Sequence, residues 1–430
     1  MLAASIGFLC AFALIFLRVP VAIALAVVGA IGFAIVNGAT PAMSMLALIT
    51  SGSTMSYYLS VIPLFILMGN LVAGAGISAD LYRAGQAFLG HWRGGLAMAT
   101  IVSCGGFAAV CGSSVATAVT MGKVSIPSMR SYGYSNGLSA ATVAAGGTLG
   151  ILIPPSIIMV VYGVSTETHI GQLFAAGLLP GFLGVVGYAL AVRWTVFRKP
   201  ESAPPAERAT TRERLEALRR IWTVAALFVL VLGGIYTGLF TATEAGGIGS
   251  VGALAFAIAR RVSLREFYEI LKDTVQTTAI LFALIIGATI FGEFINLTGS
   301  HRAILELVGN SELSPYTVIL IITVIYVLLG CVLDSLAMML LTLPMFFPIV
   351  VGLGFDPVWF GIFVVMLVEL GLITPPIGMN LFILRSIAPE VPLATIIRGI
   401  MPFIVSDVAR ILLIIAFPSI VLILPRLFFG

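Results

Sequence analysis

Gly146-Gly147-Thr148-Leu149-Gly150-Ile151-Leu152-Ile153-Pro154-Pro155-Ser156 decides the fold, because a counterpart lies 221 residues further on: Gly371-Leu372-Ile373-Thr374-Pro375-Pro376-Ile377-Gly378. That shift superimposes Gly150 on Gly371 and Pro154-Pro155 on Pro375-Pro376. Extended towards the N-terminus without a gap, it also pairs Ser114 with Ser335, Ala116 with Ala337, Pro127 with Pro348 and Gly133 with Gly354. Chance supplies one or two glycine or proline matches, not an in-register set with a double proline. The chain is therefore read as an internal repeat, which must be recognised before any other fold assignment.

A proline inside a helix removes the bond to the carbonyl four residues back. Pro154 and Pro155 free the carbonyls of Gly150 and Ile151, and Pro375 and Pro376 free those of Gly371 and Leu372. Deep in a membrane, such carbonyls are tolerated only where they face protein, water or an ion. Oxygen ligands suit a hard cation such as sodium. A simple proline kink is the competing reading, and the repetition in register favours a functional break.

The setting is a bilayer. Hydrophobic residues make up 60% of the chain and charged residues 9%, against roughly a quarter charged in soluble domains. Apolar runs recur throughout, for example 2–17, 19–36, 221–239 and 411–424, and the longer ones suffice for a hydrocarbon core of about 30 Å. They are continuous rather than alternating, which selects helices over barrel strands. Residues 2–17 lack the basic lead of a secretory signal and read as a retained first span. Cys10, Cys104, Cys111 and Cys331 lie in apolar stretches with neither zinc nor disulfide spacing, and read as small buried hydrophobes.

Basic residues set the orientation. Seven of the 22 Lys and Arg residues fall in 198–220, a segment expected to be a cytoplasmic linker between the halves. Arg260, Arg261, Arg265 and Lys272 mark a second cytoplasmic segment, where Ser263 and Glu266 make a capping box and residues 264–272 read as an interfacial helix. Residues 303–384 contain no Lys or Arg, so the turns near 310–312 and 355–356 are expected in the periplasm. The corresponding first-half turns carry Arg83, His91, Arg93, Lys123 and Arg130, which places them in the cytoplasm. Equivalent features thus lie on opposite sides, the pattern of inverted-repeat secondary transporters with sites at mid-membrane broken helices.

Two further segments, Cys111-Gly112-Ser113-Ser114-Val115-Ala116-Thr117 and Gly330-Cys331-Val332-Leu333-Asp334-Ser335, sit between apolar arms of about 15 residues, short for a full crossing. Each reads as the buried tip of a re-entrant hairpin, its second arm offering a helix N-terminus to an anion. A packing seam of small residues is the alternative. Asp334 lies alone in an apolar run and Glu369 lies beside the second break, so both are functional suspects. Glu293 and Glu244 are weaker ones, and Asp407 and Arg410 read as partners of each other.

The expected fold is an all-α polytopic membrane protein with two inverted-topology repeats, of the ion-transporter or elevator type. The first repeat covers 1–197, with a hairpin near 94–129 and a broken helix near 135–166. A linker at 198–220 follows. The second repeat covers 221–430, with a hairpin near 312–350 and a broken helix near 357–388. The candidate binding residues are Ser113, Ser114, Thr117, Gly147, Gly150, Ile151, Pro154 and Ser156 in the first half. In the second they are Asp334, Ser335, Glu369, Gly371, Thr374, Pro375 and Asn380. Sodium is expected at Ser113, Ser114 and Gly150, and at Asp334, Ser335, Gly371 and Thr374.

With these residues in hand, the chain resembles the large membrane (M, DctM-like) subunit of tripartite ATP-independent periplasmic transporters over nearly its whole length. Pro63-Leu64-Phe65-Ile66-Leu67-Met68-Gly69, the Gly112-Ser113-Ser114 tip, residues 150–155 and 371–378, Gly238-Leu239-Phe240-Thr241-Ala242-Thr243-Glu244-Ala245 and Leu424-Pro425 carry the likeness. Ala242 departs from it, since the family often has proline there. The resemblance implies a sodium-coupled elevator in the bacterial inner membrane. It also implies a separate small membrane (Q) subunit, and a periplasmic binding (P) protein delivering a carboxylate such as a C4-dicarboxylate or sialic acid.

The nearest rival is a stand-alone sodium–carboxylate symporter or another ion transporter of the same architecture. An intramembrane enzyme with Ser113 or Ser114 as nucleophile lacks a base in reach, because His91, His169 and His301 lie near span ends. No Walker A loop or H-E-x-x-H occurs. No enzyme activity, no cofactor beyond coupling sodium ions and no nucleic-acid partner are expected.

Overall fold

The computed structural model describes residues 2–309 and 314–430. The turn expected at 310–312 and the first residues of the second hairpin lie outside the described residues. The first half contains α1 (Leu2–Phe16), α2 (Val21–Asn37), α3 (Ala39–Thr54), α4 (Val61–Gly74), α5 (Ile77–Leu89), α6 (Gly95–Cys111), α7 (Ser114–Ser131), α8 (Asn136–Leu152), α9 (Ile157–Ser165) and α10 (Ile170–Arg198). The second contains α11 (Thr211–Tyr236), α12 (Ala242–Ala259), α13 (Leu264–Leu297), α14 (Ser300–Gly309), α15 (Pro315–Gly330), α16 (Ser335–Gly352), α17 (Pro357–Ile373), α18 (Met379–Ile387), α19 (Leu393–Ala416) and α20 (Ser419–Phe429). Among the described residues seven helices, counting α8 with α9 as one, are long and apolar enough to cross a membrane. The protein is a multi-pass membrane protein.

The repeat reappears in the elements. A shift of 221 residues carries α7 onto α16 and α8 onto α17 from first residue to last. Their caps follow the same shift. Ser113 Oγ accepts from Ala116 N–H, and Asp334 Oδ1 accepts from Ala337 N–H. Ser135 Oγ accepts from Leu138 N–H, and Asp356 Oδ1 accepts from Trp359 N–H. Each cap satisfies a backbone donor that a helix start leaves unpaired. Pro357 opens α17 at a position where its missing N–H costs nothing.

The two copies enter from opposite ends, with α19 as the reference. Its start meets the start of α8, where a Cβ on Gly137 would stand 3.2 Å from the Thr395 carbonyl oxygen. Its end meets the start of α17, where Trp359 Nε1 donates to the Ile414 carbonyl at 3.1 Å. Both α8 and α17 are apolar around their circumference and buried along nearly their full lengths, as a helix without a polar face must be. They form the centre of the molecule, and each stops at its double proline.

The segment after α10 straps the open end of the first hairpin. Gly94 N–H donates to the Ala203 carbonyl, Ala206 N–H to the Gly90 carbonyl and Ser135 N–H to the Ser202 carbonyl. The linker is therefore on the same side as Arg93 and Arg130. At this end Arg130 pairs with Glu390, whose carboxyl is held below its usual range by its own backbone N–H and by the guanidinium.

Two expectations about element bounds are corrected, and the linker, read from the sequence as a loop or short surface helix, ends in helix. The last part of the linker is already helix, because a Thr210–Glu213 capping box starts α11 at Thr211. Residues 264–272 are not a separate interfacial helix. They are the first turns of α13, whose 34 residues span about 51 Å at 1.5 Å each. The apolar run 411–424 is not one span. It breaks where Phe417 and Pro418 separate α19 from α20, since proline cannot donate back into the preceding turn.

Candidate functional site

Each hairpin tip meets the broken helix of its own repeat. In the first unit Ile157 N–H, just past the double proline, donates to the Gly112 carbonyl at 3.4 Å. A Cβ on Gly150 would stand 2.6 Å from the Ser113 carbonyl oxygen and 2.7 Å from Thr117 Oγ1. Only glycine lets the two backbones approach this closely. Gly147 abuts Ala118 in the same contact. Thr117 Oγ1 donates to the Ser113 carbonyl at 2.7 Å. Thus Ser113, Thr117 and Gly150 gather at one junction.

The second unit repeats the arrangement. A Cβ on Gly371 would lie 2.7 Å from the Gly330 Cα, and Cys331 Sγ donates to the Pro375 carbonyl at 3.3 Å. Thr374 Oγ1 donates to the Leu370 carbonyl at 2.7 Å. Asp334 caps α16 through Oδ1, which accepts from Leu336 N–H at 3.0 Å and Ala337 N–H at 3.2 Å. Its Oδ2 has no hydrogen bond within the described residues. Ser335 follows it as the first residue of α16.

Two of the four freed carbonyls have found local donors. Ser156 Oγ donates to the Ile151 carbonyl at 2.6 Å, and Thr374 N–H donates to the Gly371 carbonyl at 3.2 Å. Each oxygen keeps a second lone pair. Pro154 is buried.

The halves are joined by Asn380, fully buried at the start of α18. Its Nδ2 donates to Ser114 Oγ at 2.9 Å and to the Ala144 carbonyl at 3.1 Å, while Ser114 Oγ returns to Oδ1 at 3.2 Å. One side chain of the second repeat thereby ties down the first hairpin tip and α8 together.

Glu369 is not at a tip. It is fully buried, with Oε2 2.7 Å from Arg410 Nη2 and Oε1 accepting from Thr148 Oγ1 at 2.9 Å. Arg410 Nη2 also contacts Asp407 Oδ1 at 2.7 Å, and Tyr188 O–H donates to Asp407 Oδ2 at 2.8 Å. A network on α8, α10, α17 and α19 results, with one cation held between two carboxylates. The pairing of Asp407 with Arg410 is present as the sequence suggested. Thr148 and Tyr188 were missed, although the 221-residue shift places Thr148 opposite Glu369.

The fold built around these broken helices also exists elsewhere. The structure of the Alcanivorax borkumensis YdaH transporter superposes with a TM-score of 0.67, covering 90% of each chain at 16% identity. That likeness concerns the fold alone. Closer in sequence is the C4-dicarboxylate TRAP transporter large permease protein DctM of Pseudomonas aeruginosa, 36% identical over 86% of both chains. The ectoine TRAP transporter large permease protein TeaC of Halomonas elongata is 34% identical over 97% of both. Residues 8–420 match the family described as tripartite ATP-independent periplasmic transporter, DctM component. Repeat, tips, breaks and relatives therefore agree: the chain belongs to the DctM component family of the tripartite ATP-independent periplasmic transporters.

Proposed function

We propose that this transporter subunit takes up an organic carboxylate across the bacterial inner membrane, driven by sodium ions bound at the two tip-and-break junctions. What supports the reading is the convergence of oxygens at Gly150, where the Ser113 carbonyl and the Thr117 hydroxyl crowd against a glycine whose own carbonyl a proline has released. Sodium is a hard cation and takes such ligands. At the second junction Asp334 Oδ2, Ser335 and the carbonyls near Gly371 and Thr374 play the same part, and the carboxylate offsets one positive charge. The substrate sits between the tips, where the N-termini of α7 and α16 favour an anion.

The relatives differ in what their names say they carry, a C4-dicarboxylate in one and ectoine in another. A carboxylate group is common to both chemistries, so the proposal stops at that class. A small membrane subunit and a periplasmic binding protein complete the system. The unit built on α8 and α17 moves against the remaining helices as an elevator. The test is uptake into proteoliposomes containing all three proteins, with sodium inside, outside or replaced by potassium. Uptake that follows the inward sodium gradient supports the proposal, and equal uptake in potassium rejects it.

A further inference from the structure

We infer that the groove between α10 and α19 is a binding site for an anionic phospholipid of the cytoplasmic leaflet. The groove, about 1190 Å³, is separate from both tip-and-break junctions. Its walls are apolar: Leu190 on α10 and Val405 on α19 are 60% and 67% exposed along it. Such side chains at membrane depth meet acyl chains at no desolvation cost. An apolar groove by itself would accept any lipid.

The basic end makes it selective. Arg93, from the turn before α6, and Arg193, in the last turns of α10, both line the groove and are exposed. Neither has an acidic partner among the described residues. Trp92 and Trp194 stand beside them, 49% and 55% exposed, at the level where amphipathic rings favour the headgroup region. Two free guanidiniums on one rim offer forked donors to a phosphate, and basic pockets between spanning helices on this side suit anionic headgroups. Arg410 also lines the groove, and its Nε is buried without a partner although its other nitrogens are engaged. Because α10 and α19 also carry Tyr188, Asp407 and Arg410, the lipid would lie against the outer wall of that network.

The test uses the full chain in detergent and reads quenching of tryptophan fluorescence by brominated lipids. Brominated phosphatidylglycerol should quench with higher apparent affinity than brominated phosphatidylcholine of the same tails. At about 1 kcal/mol for each basic residue, R93A/R193A should weaken phosphatidylglycerol about 30-fold and leave phosphatidylcholine unchanged. Both arginines are exposed, so the variant should fold; a circular-dichroism melt checks this. Leu190→Trp/Val405→Trp should reduce lipid binding with the arginines intact, read by lipid retained in native mass spectrometry. Equal affinity for the two lipids, or an unchanged R93A/R193A, overturns the proposal. So does competition by inorganic phosphate alone as strong as that by lipid, or occlusion of the groove by a co-purified small membrane subunit.

Discussion

Thr148 Oγ1 donates to Glu369 Oε1 at 2.9 Å, and the two residues are repeat equivalents, 221 positions apart. The pseudo-symmetry that relates α8 to α17 thus brings a residue into contact with its own counterpart. The two side chains differ because the contact needs a donor on one side and an acceptor on the other. The arginine that neutralises Glu369 comes from α19 alone, so the network closes the repeats asymmetrically around one cation.

That asymmetry makes Arg410 costly to remove. Arg410→Ala leaves Glu369 and Asp407 buried with no cation, a loss of about 3–5 kcal/mol. The expected result is low yield and a large drop in melting temperature in detergent. Arg410→Gln combined with Glu369→Gln and Asp407→Asn should recover much of the loss, because the buried charge is then gone. A triple variant no more stable than Arg410→Ala would show that packing around the guanidinium, not charge, is what matters.

Thr148→Val keeps the shape and deletes one donor. Glu369 retains Arg410, so the cost should be about 1 kcal/mol, with transport near normal. A thermal melt of the purified chain checks the first outcome and proteoliposome uptake the second.

Close backbone approach at the first junction predicts a steric effect. A methyl group at Gly150 would intrude 2.6 Å from the Ser113 carbonyl, pushing the tip off the broken helix. Gly150→Ala should lose most transport while the protein still inserts and purifies. Gly247→Ala is the control, since nothing lies within 4 Å of a Cβ there. Equal transport by the two variants would remove the junction from the mechanism.

Sidedness follows from the basic residues and is measurable. Cys10, unlike the other three cysteines, is exposed rather than buried as its sequence setting suggested. In a chain with Cys10 replaced by serine, Glu201→Cys should be shielded from a membrane-impermeant maleimide in intact spheroplasts. Asp356→Cys should be labelled. The reverse pattern would invert the topology.

Much of this was legible in the sequence because the signals are local. A double proline ends a helix wherever it occurs, and Ser135 or Asp356 caps the helix that follows it. Those signals placed the breaks and turns. The break at Pro418 was hidden because the run around it is uniformly apolar, so hydropathy masked a single proline. The contact between Tyr188 and Asp407 could not be read at all. It joins residues 219 apart, and their meeting depends on how α10 lies against α19. Thr148 is hidden for another reason: it does not resemble Glu369, so the repeat shows no identity at that pair.

Asp334 separates two roles that one substitution would confuse. Its Oδ1 caps α16, so Asp334→Ala removes both the cap, worth about 1 kcal/mol, and the charge proposed to face sodium. Asp334→Asn keeps an oxygen for the cap and deletes only the charge. If the carboxylate binds sodium, Asp334→Asn should melt like the parent yet need at least about tenfold more sodium for half-maximal uptake, equivalent to about 1.4 kcal/mol. Ser113→Ala, which removes the equivalent cap in the first repeat without touching a charge, should shift sodium dependence far less. Both are measured by substrate uptake at graded external sodium with the three-component system. Unchanged sodium dependence in Asp334→Asn would leave Asp334 as a helix cap alone, and the second sodium site would have to be sought among the carbonyls around Gly371.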